Sequence, residues 1–321
     1  MLKFEVLEKS FLEEAVSIAL TEYNEECSIV NELPQNNYAE LVFNLLSDMI
    51  DHNLGIVALD GSNVVGFLTC YAPIENFFGK VKGAFSPIHG HGAIKKDRNL
   101  IYSKLYQNAA KKWVNEGIVS HAIALYAHNT IAIDSFFRNG FGLRCIDAIA
   151  SIDRKISKFE YIEDLKMEEI TLDKLDCLLP LKNNLISHMR NSPIFLPNNK
   201  FDMKKFKSQS VARKSRFFTA SSEGRVIGYI EITGSGENFT CDDKGTINIC
   251  GAYLSMEYRG REIFDLLLSF MFKKLQQEGY ERCGVDFESI NPTADKFWTK
   301  YFTPYTYSMA RRIDERINLN Y

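Results

Sequence analysis

The sequence has few of the features that would place it outside ordinary globular proteins. It contains only 8 prolines and 2 tryptophans in 321 residues, and its formal charge is only -3, from 38 basic and 41 acidic side chains. Without an excess of basic residues, nucleic acid is not the expected partner, although one local basic patch is present. The apolar runs fall well short of the roughly 18 residues that span a bilayer, so no membrane partner is expected either.

The cysteines lack the spacing of a disulfide framework or a metal motif. They number 7, which is odd, and no two of them form a C-x-x-C pair. This usage is typical of reduced thiols. The apolar fraction of 45% and the charged fraction of 25% are ordinary for a globular protein. We therefore expect a soluble cytoplasmic protein, with no metal.

The length suggests two domains, and an internal repeat makes them two copies of one unit. Matches recur at a fixed shift of 162 residues, and near the ends of the copies the shift drifts by one. The matching segments are Val64–Phe67 with Val226–Tyr229, Glu116–Gly117 with Glu278–Gly279, Asn129 with Asn291, Ala132 with Ala294, and Leu2–Glu5 with Leu165–Glu168. The predicted domains are residues 1–158 and 159–321.

Each copy has the same predicted order of elements. A short strand and a helix are followed by two strands joined at a tight turn, which contains Gly61 or Gly224. A long third strand comes next, at residues 81–93 or 245–256. A helix ending at Gly117 or Gly279, a strand, a short helix and closing strands complete the copy. This order predicts an α+β unit.

Two motifs in this order resemble those of the GNAT superfamily of acyl-CoA-dependent N-acetyltransferases. Leu254–Phe264, with the sequence LSMEYRGREIF, resembles the family's strand, E-Y-R-G-R-G-x-G loop and helix. Asn291, Ala294 and Trp298 resemble its N-x-x-A-x-x-x-Y motif. In the first copy the same motif is matched by Asn129, Ala132 and Phe136, and Gly140–Phe141 follows it.

The resemblance covers nearly the whole chain and implies a tandem, duplicated GNAT protein with degenerate CoA-binding loops. Its expected fold is two GNAT-like domains, each a mixed, mostly antiparallel twisted sheet flanked by helices. The implied activity is transfer of an acetyl group from acetyl-CoA to a primary amine of a small molecule or peptide. The alternative is a non-catalytic ligand-binding or scaffold protein that retains the duplicated fold. A homodimer stays open.

The loop of the second copy is the more promising cofactor site. A loop that leads into a helix N-terminus presents free backbone N–H groups and a positive dipole end, which suit a pyrophosphate. The candidate cofactor-binding residues are Leu254, Met256, Arg259, Gly260, Arg261, Glu262 and Asn291. Glu262 and Phe264 stand where the family has glycines. In the first copy the shift places Asp97–Tyr102 at this position, with no glycine, so we expect its cofactor site to be altered or lost.

Catalysis needs a base for the amine and an acid for the leaving thiolate. In the family a tyrosine on the last short helix often supplies the acid, but Phe136 and Trp298 occupy that position here and cannot donate a proton to sulfur. Tyr253, Tyr301 or a water are the alternatives. Asp286 and Glu288 share one face of a predicted strand and are candidate bases. Equally, either carboxylate can be an edge residue paired with Arg282.

Histidines form the remaining candidate group. His89 and His91 share one strand face, a spacing that metal sites also use, whereas His121 and His128 should face opposite sides. His91, which the shift of 162 aligns with Tyr253, is a candidate base or substrate contact. A hydrogen-bonded structural role is the alternative. The basic stretch of residues 204–216 indicates a solvated face or an anion-steering patch.

Overall fold

The computed structural model describes residues 2–156 and 164–318, which fall into two units. The first unit comprises Met1–Ile146 together with Pro304–Tyr321, and the second comprises Asp147–Thr303. The predicted boundary between residues 158 and 159 lies outside the described residues.

The first copy of the repeat contains the following elements, in chain order. The helices are α1 (Leu12–Cys27), α2 (Ala39–Ile50), α3 (Arg98–Asn115) and α4 (Thr130–Arg138). The strands are β1 (Lys3–Val6), β2 (Ile56–Asp60), β3 (Asn63–Leu68), β4 (Lys82–Ser86), β5 (His91–Ala93), β6 (Ile118–Tyr126) and β7 (Gly142–Ser151).

The second copy repeats this order. Its helices are α5 (Leu179–Arg190), α6 (Met203–Ala212), α7 (Ile263–Gln277) and α8 (Pro292–Tyr301). Its strands are β8 (Leu165–Ile170), β9 (Arg216–Ser222), β10 (Arg225–Thr233), β11 (Thr246–Leu254), β12 (Arg282–Glu288) and β13 (Thr303–Arg312).

Local sequence explains most of these elements. In α1 the buried residues Leu12, Ala15, Val16 and Ala19 recur at three- and four-residue spacing, which gives the helix one apolar face. The tight turns between β2 and β3 and between β9 and β10 contain Gly61 at φ +64° and Gly224 at φ +74°. Glycine adopts this left-handed conformation without the steric cost of a Cβ.

In the first unit one sheet has the strand order β1-β2-β3-β5, and β4-β6-β13 are hydrogen-bonded neighbours. β6 is buried along its whole length. Helix α3 packs its large aromatic residues, among them Tyr102, Tyr106 and Trp113, into a core that also contains Phe136 of α4. In the second unit the order is β12-β11-β10-β9-β8, and β11 pairs in parallel with β12 and antiparallel with β10.

The long third strand predicted for the first copy is wrong, because the structure has two strands there. β4 pairs in parallel with β6, and β5 pairs antiparallel with β3. Pro87, which lacks a backbone N–H, follows β4 directly, and the backbone N–H of Gly90 donates back to the Pro87 carbonyl at 2.8 Å to form a turn. The corresponding β11 has no proline and runs unbroken from Thr246 to Leu254.

The closing strand of the second copy belongs to the first unit. β13 pairs antiparallel with β6 from Thr306↔Tyr126 to Arg312↔Ser120. Residues 147–151 of β7, the closing strand of the first copy, lie in the second unit, where β7 neighbours β12. The division into compact units therefore differs from the order of the copies along the chain.

Two helices were not predicted from the sequence. α2 is strongly amphipathic, with Val42, Leu46, Met49 and Ile50 buried. α6 includes much of the basic stretch, and its Asp202 cap accepts a hydrogen bond from the Lys205 N–H. Among the residues that the structure describes, no helix is both long enough and apolar enough to cross a membrane.

Candidate active site

A cavity of about 470 Å³ lies in the second unit, at the end of β11. Its floor is formed by the last three residues of that strand, Ala252, Tyr253 and Leu254. α5 contributes Leu185 and His188 to one wall, and the start of α8 contributes Asn291, Thr293 and Ala294 to another. Its size lies in the range of small-molecule and cofactor sites.

The strands diverge beside this cavity. The parallel pairing of β11 with β12 runs from Thr246↔Arg282 to Ile249↔Val285. On its other side β11 carries a bulge at Cys250, since Ile249 is opposite Ile232 while Gly251 is opposite Glu231. Bulges redirect a strand and its side chains. The last residues of β11 therefore leave β12 and form the cavity floor.

The loop of residues 255–262 connects β11 to α7 along the cavity. Gly260 has φ +78°, and a Cβ added to it would meet no heavy atom within 4 Å, so the space beside it is open. Glu262 precedes α7 with φ 60° and makes no side-chain capping hydrogen bond. The N-terminal N–H groups of this 15-residue helix are thus not capped by that carboxylate. Gly260, Glu262, Ile263, Phe264 and Asp265 all line the cavity.

Arg259 is tied to the strand that forms the cavity floor. Its Nε donates to the carbonyl oxygen of Leu254 at 3.0 Å, and its guanidinium lies 5.3 Å from the centre of the Tyr253 ring. A guanidinium has five N–H donors, and among the described residues the Arg259 side chain makes a hydrogen bond only from Nε. The cation therefore has donors for an anion in the cavity that Arg259 lines.

Asn291 is the N-cap of α8, as its position in the motif suggests. Its Oδ1 accepts from the N–H of Ala294 at 3.4 Å and from the hydroxyl of Thr293 at 2.8 Å. His188 of α5 donates from Nε2 to the same oxygen at 3.3 Å. His188 and Leu185 were missed by the sequence analysis, because they belong to a helix about a hundred residues from the motifs. Their three-residue spacing on a helix was the only available indication that they share a face.

Six of the predicted residues meet at this cavity, and the others lie elsewhere. Tyr253, Leu254, Arg259, Gly260, Glu262 and Asn291 line it. Met256 is 73% exposed, and Arg261 has its guanidinium 5.9 Å from the Tyr258 ring; neither lines the cavity. Tyr301 is buried, and its hydroxyl donates to the Asp265 carboxylate.

The candidate bases Asp286 and Glu288 lie beyond Val285, where the pairing of β12 with β11 has ended. Neither lines the cavity. Asp286 is exposed to solvent, and its charged neighbours are other carboxylates. Desolvation, followed by the charges of Asp147, Glu237 and Glu288, raises its pKa to about 7. Arg282, the alternative partner, pairs with Asp243 and Glu281 instead.

Strand register aligns the corresponding region of the first unit and corrects one alignment made from the sequence. Gly66 pairs with Ala93, as the equivalent Gly228 pairs with Leu254. Ala93 is therefore the counterpart of Leu254, and Gly92, rather than His91, is the counterpart of Tyr253. The fixed shift of 162 fails here by one residue, which exchanges the two faces of a strand.

His91 lies in a closed hydrogen-bonded network of the first unit. Its Nε2 donates to the carbonyl oxygen of Ala124 at 2.7 Å, and its Nδ1 is 3.0 Å from the Tyr102 hydroxyl. The side chain is buried, and desolvation lowers its pKa to about 4. This environment favours the structural role over the catalytic one. His121 is also buried, bonded to Tyr106 and Ile118, while His128 pairs with Glu26, so these histidines do not form one cluster.

One family model matches the segment of the chain that contains this cavity. The acetyltransferase (GNAT) family model matches residues 185–302, a range that contains every residue lining the cavity. No curated protein matches the chain in sequence.

Solved structures resemble the chain along its whole length. A GCN5-related N-acetyltransferase from Sphaerobacter thermophilus is 11% identical, with a TM-score of 0.59 over 97% of this chain and 95% of that one. A GNAT-family acetyltransferase from Colwellia psychrerythraea is 12% identical, with a TM-score of 0.51 over 97% and 100%. A tandem GNAT protein from the clavulanic acid biosynthesis pathway is 13% identical, with a TM-score of 0.50 over 97% and 98%.

These likenesses confirm the predicted α+β fold of GNAT type. The matched family range coincides with the second-unit cavity, and the structural likeness extends through the first copy as well. Residues 185–302 are therefore similar to the acetyltransferase (GNAT) family, and the chain has the GNAT fold along its length.

Proposed function

We propose that the second unit is an acyl-CoA-dependent N-acetyltransferase that uses acetyl-CoA to acetylate a primary amine. The cavity at the end of β11 carries this proposal, because it joins three groups suited to the donor. These are the loop glycine Gly260, the cation of Arg259 and the uncapped N-terminus of α7. Backbone N–H groups and a helix dipole favour a pyrophosphate at that position.

The apolar part of the cavity fits the rest of such a donor. Leu254, Leu185 and Trp298 line it alongside the polar groups. A mostly apolar wall with a few polar groups is the usual form of a cofactor site. Of the loop residues that line the cavity, Glu262 is the one whose charge opposes an anion. Since Glu262 makes no capping bond, its side chain is not held over the helix N-terminus by one.

The reaction forms a bond between the amine nitrogen and the thioester carbon and breaks the bond from that carbon to sulfur. The nitrogen gives up a proton to a base, and the thiolate takes one up to leave as free CoA thiol. Asp286 is our candidate base, because it follows Val285, the last residue of β12 that pairs with β11, where the two strands separate beside the cavity. Its raised pKa of about 7 suits a group that accepts and returns protons near neutral pH. Glu288, two residues along the same strand face, is the second candidate.

Tyr253 is the candidate acid, because it lines the cavity with a hydroxyl-bearing ring. Tyr301 is less suited, since its hydroxyl is already engaged by Asp265. The acceptor remains a primary amine of a small molecule or peptide.

Titration with acetyl-CoA tests the donor site. A ligand that binds only the folded state raises the melting temperature, and calorimetry gives the Kd directly. Arg259→Ala should weaken binding at least tenfold, since a charge-assisted hydrogen bond is lost. Arg225→Ala, an exposed arginine at the start of β10, is the matched control and should bind like the wild type.

Turnover is tested with a panel of amine acceptors by mass spectrometry of the acetylated product. Asp286→Asn should lower kcat far more than it changes the Kd for acetyl-CoA. Acetyl-CoA binding with no turnover on any amine would favour the non-catalytic ligand-binding alternative. No binding at millimolar acetyl-CoA would refute the proposed function.

A further inference from the structure

The two units share one arginine contact, although the fixed shift of 162 residues does not align the two arginines. In the first unit Arg98 donates from Nε to the carbonyl oxygen of Ala93 at 3.0 Å. In the second unit Arg259 donates from Nε to the carbonyl oxygen of Leu254, also at 3.0 Å. Ala93 and Leu254 are equivalent by strand register. The same guanidinium position has therefore been kept at the end of the equivalent strand.

The connections around this arginine differ. In the second unit residues 255–262 link strand and helix, whereas in the first unit residues 94–97 do so. Helix α3 has 18 residues and α7 has 15, so the first unit has helix where the second has loop. Asp97 nevertheless precedes its helix in the left-handed conformation, at φ 56°, as Glu262 does at φ 60°.

The guanidinium of Arg98 is occupied by a carboxylate of the same chain. Glu25 of α1 accepts from Nη1 at 2.8 Å and from Nη2 at 3.2 Å, which is the two-pronged geometry of arginine with a carboxylate or phosphate. The Arg98 side chain is only 6% exposed. Among the described residues, Arg259 has no such carboxylate partner.

A second carboxylate of α1 satisfies the strand end and the motif asparagine. Glu22 accepts from the Ala93 N–H at 2.9 Å and from the Asn129 side-chain amide at 3.1 Å. The equivalent Asn291 instead faces His188 and Met189 of α5. Thus α1 places acidic side chains where α5 borders an open cavity.

The strand face that carries the candidate bases in the second unit has different residues in the first unit. At the shift of 162, Ala124 and Tyr126 replace the candidate bases Asp286 and Glu288. The Tyr126 ring is buried and packs 6.2 Å from the ring of Tyr23 of α1.

From these contacts we propose that α1 supplies a built-in occupant of the anion position in the first unit's cofactor cleft, with Glu25 at Arg98 and Glu22 bound to Ala93 and Asn129. An open depression of about 550 Å³, lined by Lys95, Asp97 and Thr130 among others, remains beside Arg98. Glu25 therefore excludes acyl-CoA by holding the arginine rather than by filling the cleft, and a chain with a functional second unit binds one acyl-CoA. This inference concerns the first unit and does not depend on turnover by the second.

Removal of the Glu25 carboxylate should convert its position into a site for a free anion. The probe is inorganic pyrophosphate, and the background is full-length Arg259→Ala, in which the second unit's anion contact is removed. In this background Glu25→Ala should lower the melting temperature, and saturating pyrophosphate should then raise it by about 3 °C. The Arg259→Ala protein, in which Glu25 is unaltered, should show no such rise.

A third variant distinguishes stabilisation by pyrophosphate bound at Arg98 from a general effect of salt. Adding Arg98→Met to the Glu25→Ala background should abolish the rise, because the cation that binds pyrophosphate is gone. Glu25→Ser serves as the second variant should Glu25→Ala not fold in the absence of anion, and the same rise is expected for it. Absence of rescue in both variants, or a rise that persists with Arg98→Met, would overturn the proposal.

Stoichiometry gives an independent test. Calorimetry of the wild type with acetyl-CoA should give one site per chain, and two sites would overturn the proposal that Glu25 excludes acyl-CoA from Arg98. If acetyl-CoA does not bind at all, the proposed function of the second unit fails, and the pyrophosphate rescue still decides the inference about the first.

Discussion

The two units hold an equivalent arginine at an equivalent strand end, and both arginines border a depression, yet only the guanidinium of Arg98 is bound by carboxylates of its own chain. Arg98 is bound by Glu25 and lies 3.7 Å from Glu22, while Arg259 lines an open site. The difference arises in the helix that faces the strand as much as in the loop. An anion-binding arginine in a duplicated fold can therefore be occupied from within by side chains of a distant helix.

The burial of these charged side chains in the first unit has consequences for its stability. Buried charges are stable only when they are paired and hydrogen-bonded, and removal of one partner leaves the other without compensation. Glu22 carries hydrogen bonds from Ala93, Tyr102 and Asn129. We expect substitutions in this network to affect stability, whereas substitutions around Arg259 should affect ligand binding.

The largest effect is expected for Arg98→Ala. Loss of this cation leaves the buried Glu22 without its cationic partner and Glu25 with only the exposed Lys95, 3.6 Å away, and should destabilise the first unit by about 3–5 kcal/mol. Each unit has one tryptophan, so in a Trp298→Phe background the fluorescence of Trp113 reports the first unit during urea unfolding. Arg138→Ala, which breaks only the exposed pair with Asp134, is the control and should have no measurable effect. A loss below about 1 kcal/mol for Arg98→Ala would contradict the buried-network interpretation.

Acid should destabilise the first unit selectively. Desolvation lowers the pKa of His89, His91 and His121 to about 4 each. Below pH ~6.5 the unfolded chain binds protons that the folded unit does not, so the stabilisation present above that pH is lost as the pH falls toward 4. Each such histidine lowers the free energy of unfolding by at most about 1.4 kcal/mol per pH unit in this range. Hydrogen exchange at pH 7 and pH 5, corrected for intrinsic rates, should show a greater loss of protection in α3 and β6 than in α7 and β12. Equal loss in both units would contradict this prediction.

Gly260→Ala should weaken acetyl-CoA binding about tenfold while leaving the fold intact. The left-handed φ of +78° disfavours a Cβ, and the added methyl group projects from the loop that borders the cavity. Gly224→Ala is a close match, because Gly224 has φ +74° and equally open surroundings but lies in the β9–β10 turn. Both variants should lose similar stability, and only Gly260→Ala should raise the Kd measured by calorimetry. A Kd raised equally by both would mean that backbone strain, rather than ligand contact, is responsible.

The smallest effect is expected for Glu22→Gln, which should change how steeply the free energy of unfolding depends on pH. Desolvation, the largest influence on this carboxyl, raises its pKa to about 7, with Arg98 opposing the shift. Since the folded form holds the proton more tightly, the contribution of Glu22 is greatest below pH ~4.5 and is lost as the pH rises through about 7. This trend opposes that of the histidines, so Glu22→Gln should make the acid sensitivity steeper, by at most about 1.4 kcal/mol per pH unit. Urea unfolding of the Trp298→Phe background between pH 5 and 7 measures the slope, and a shallower slope in the variant would refute the assignment.

Features encoded by neighbouring residues were predicted well. α7 begins at Ile263, as the motif indicated, and the hairpin glycines have the positive φ that their turns require. β11 ends at Leu254, two residues before the predicted end at residue 256. Predictions failed where the chain departs from its own repeat. The break at Pro87 divided a predicted strand, and the slip between His91 and Tyr253 came from assuming a constant shift.

The roles of individual candidates depended on long-range packing. Tyr301 and Asp265 come from different helices, and their contact engages the hydroxyl that the sequence offered as an acid. His188 reaches Asn291 across a sequence separation of 103 residues, which no local pattern indicates. The catalytic assignments of Asp286, Glu288 and Tyr253 stay predictions for the kinetic experiments to test.

The sequence by itself determined the duplicated α+β fold, the GNAT resemblance and the segment that forms the cavity floor, because each is carried by periodicity or by contiguous residues. Only the tertiary structure decided which of the two arginines is bound by carboxylates of the chain itself. Glu25 meets Arg98 across a separation of 73 residues, and Glu22 meets Tyr102 across 80. Whether a carboxylate is solvated on a helix surface or buried on an arginine depends on how that helix packs, and so the spacing along the chain could not reveal it.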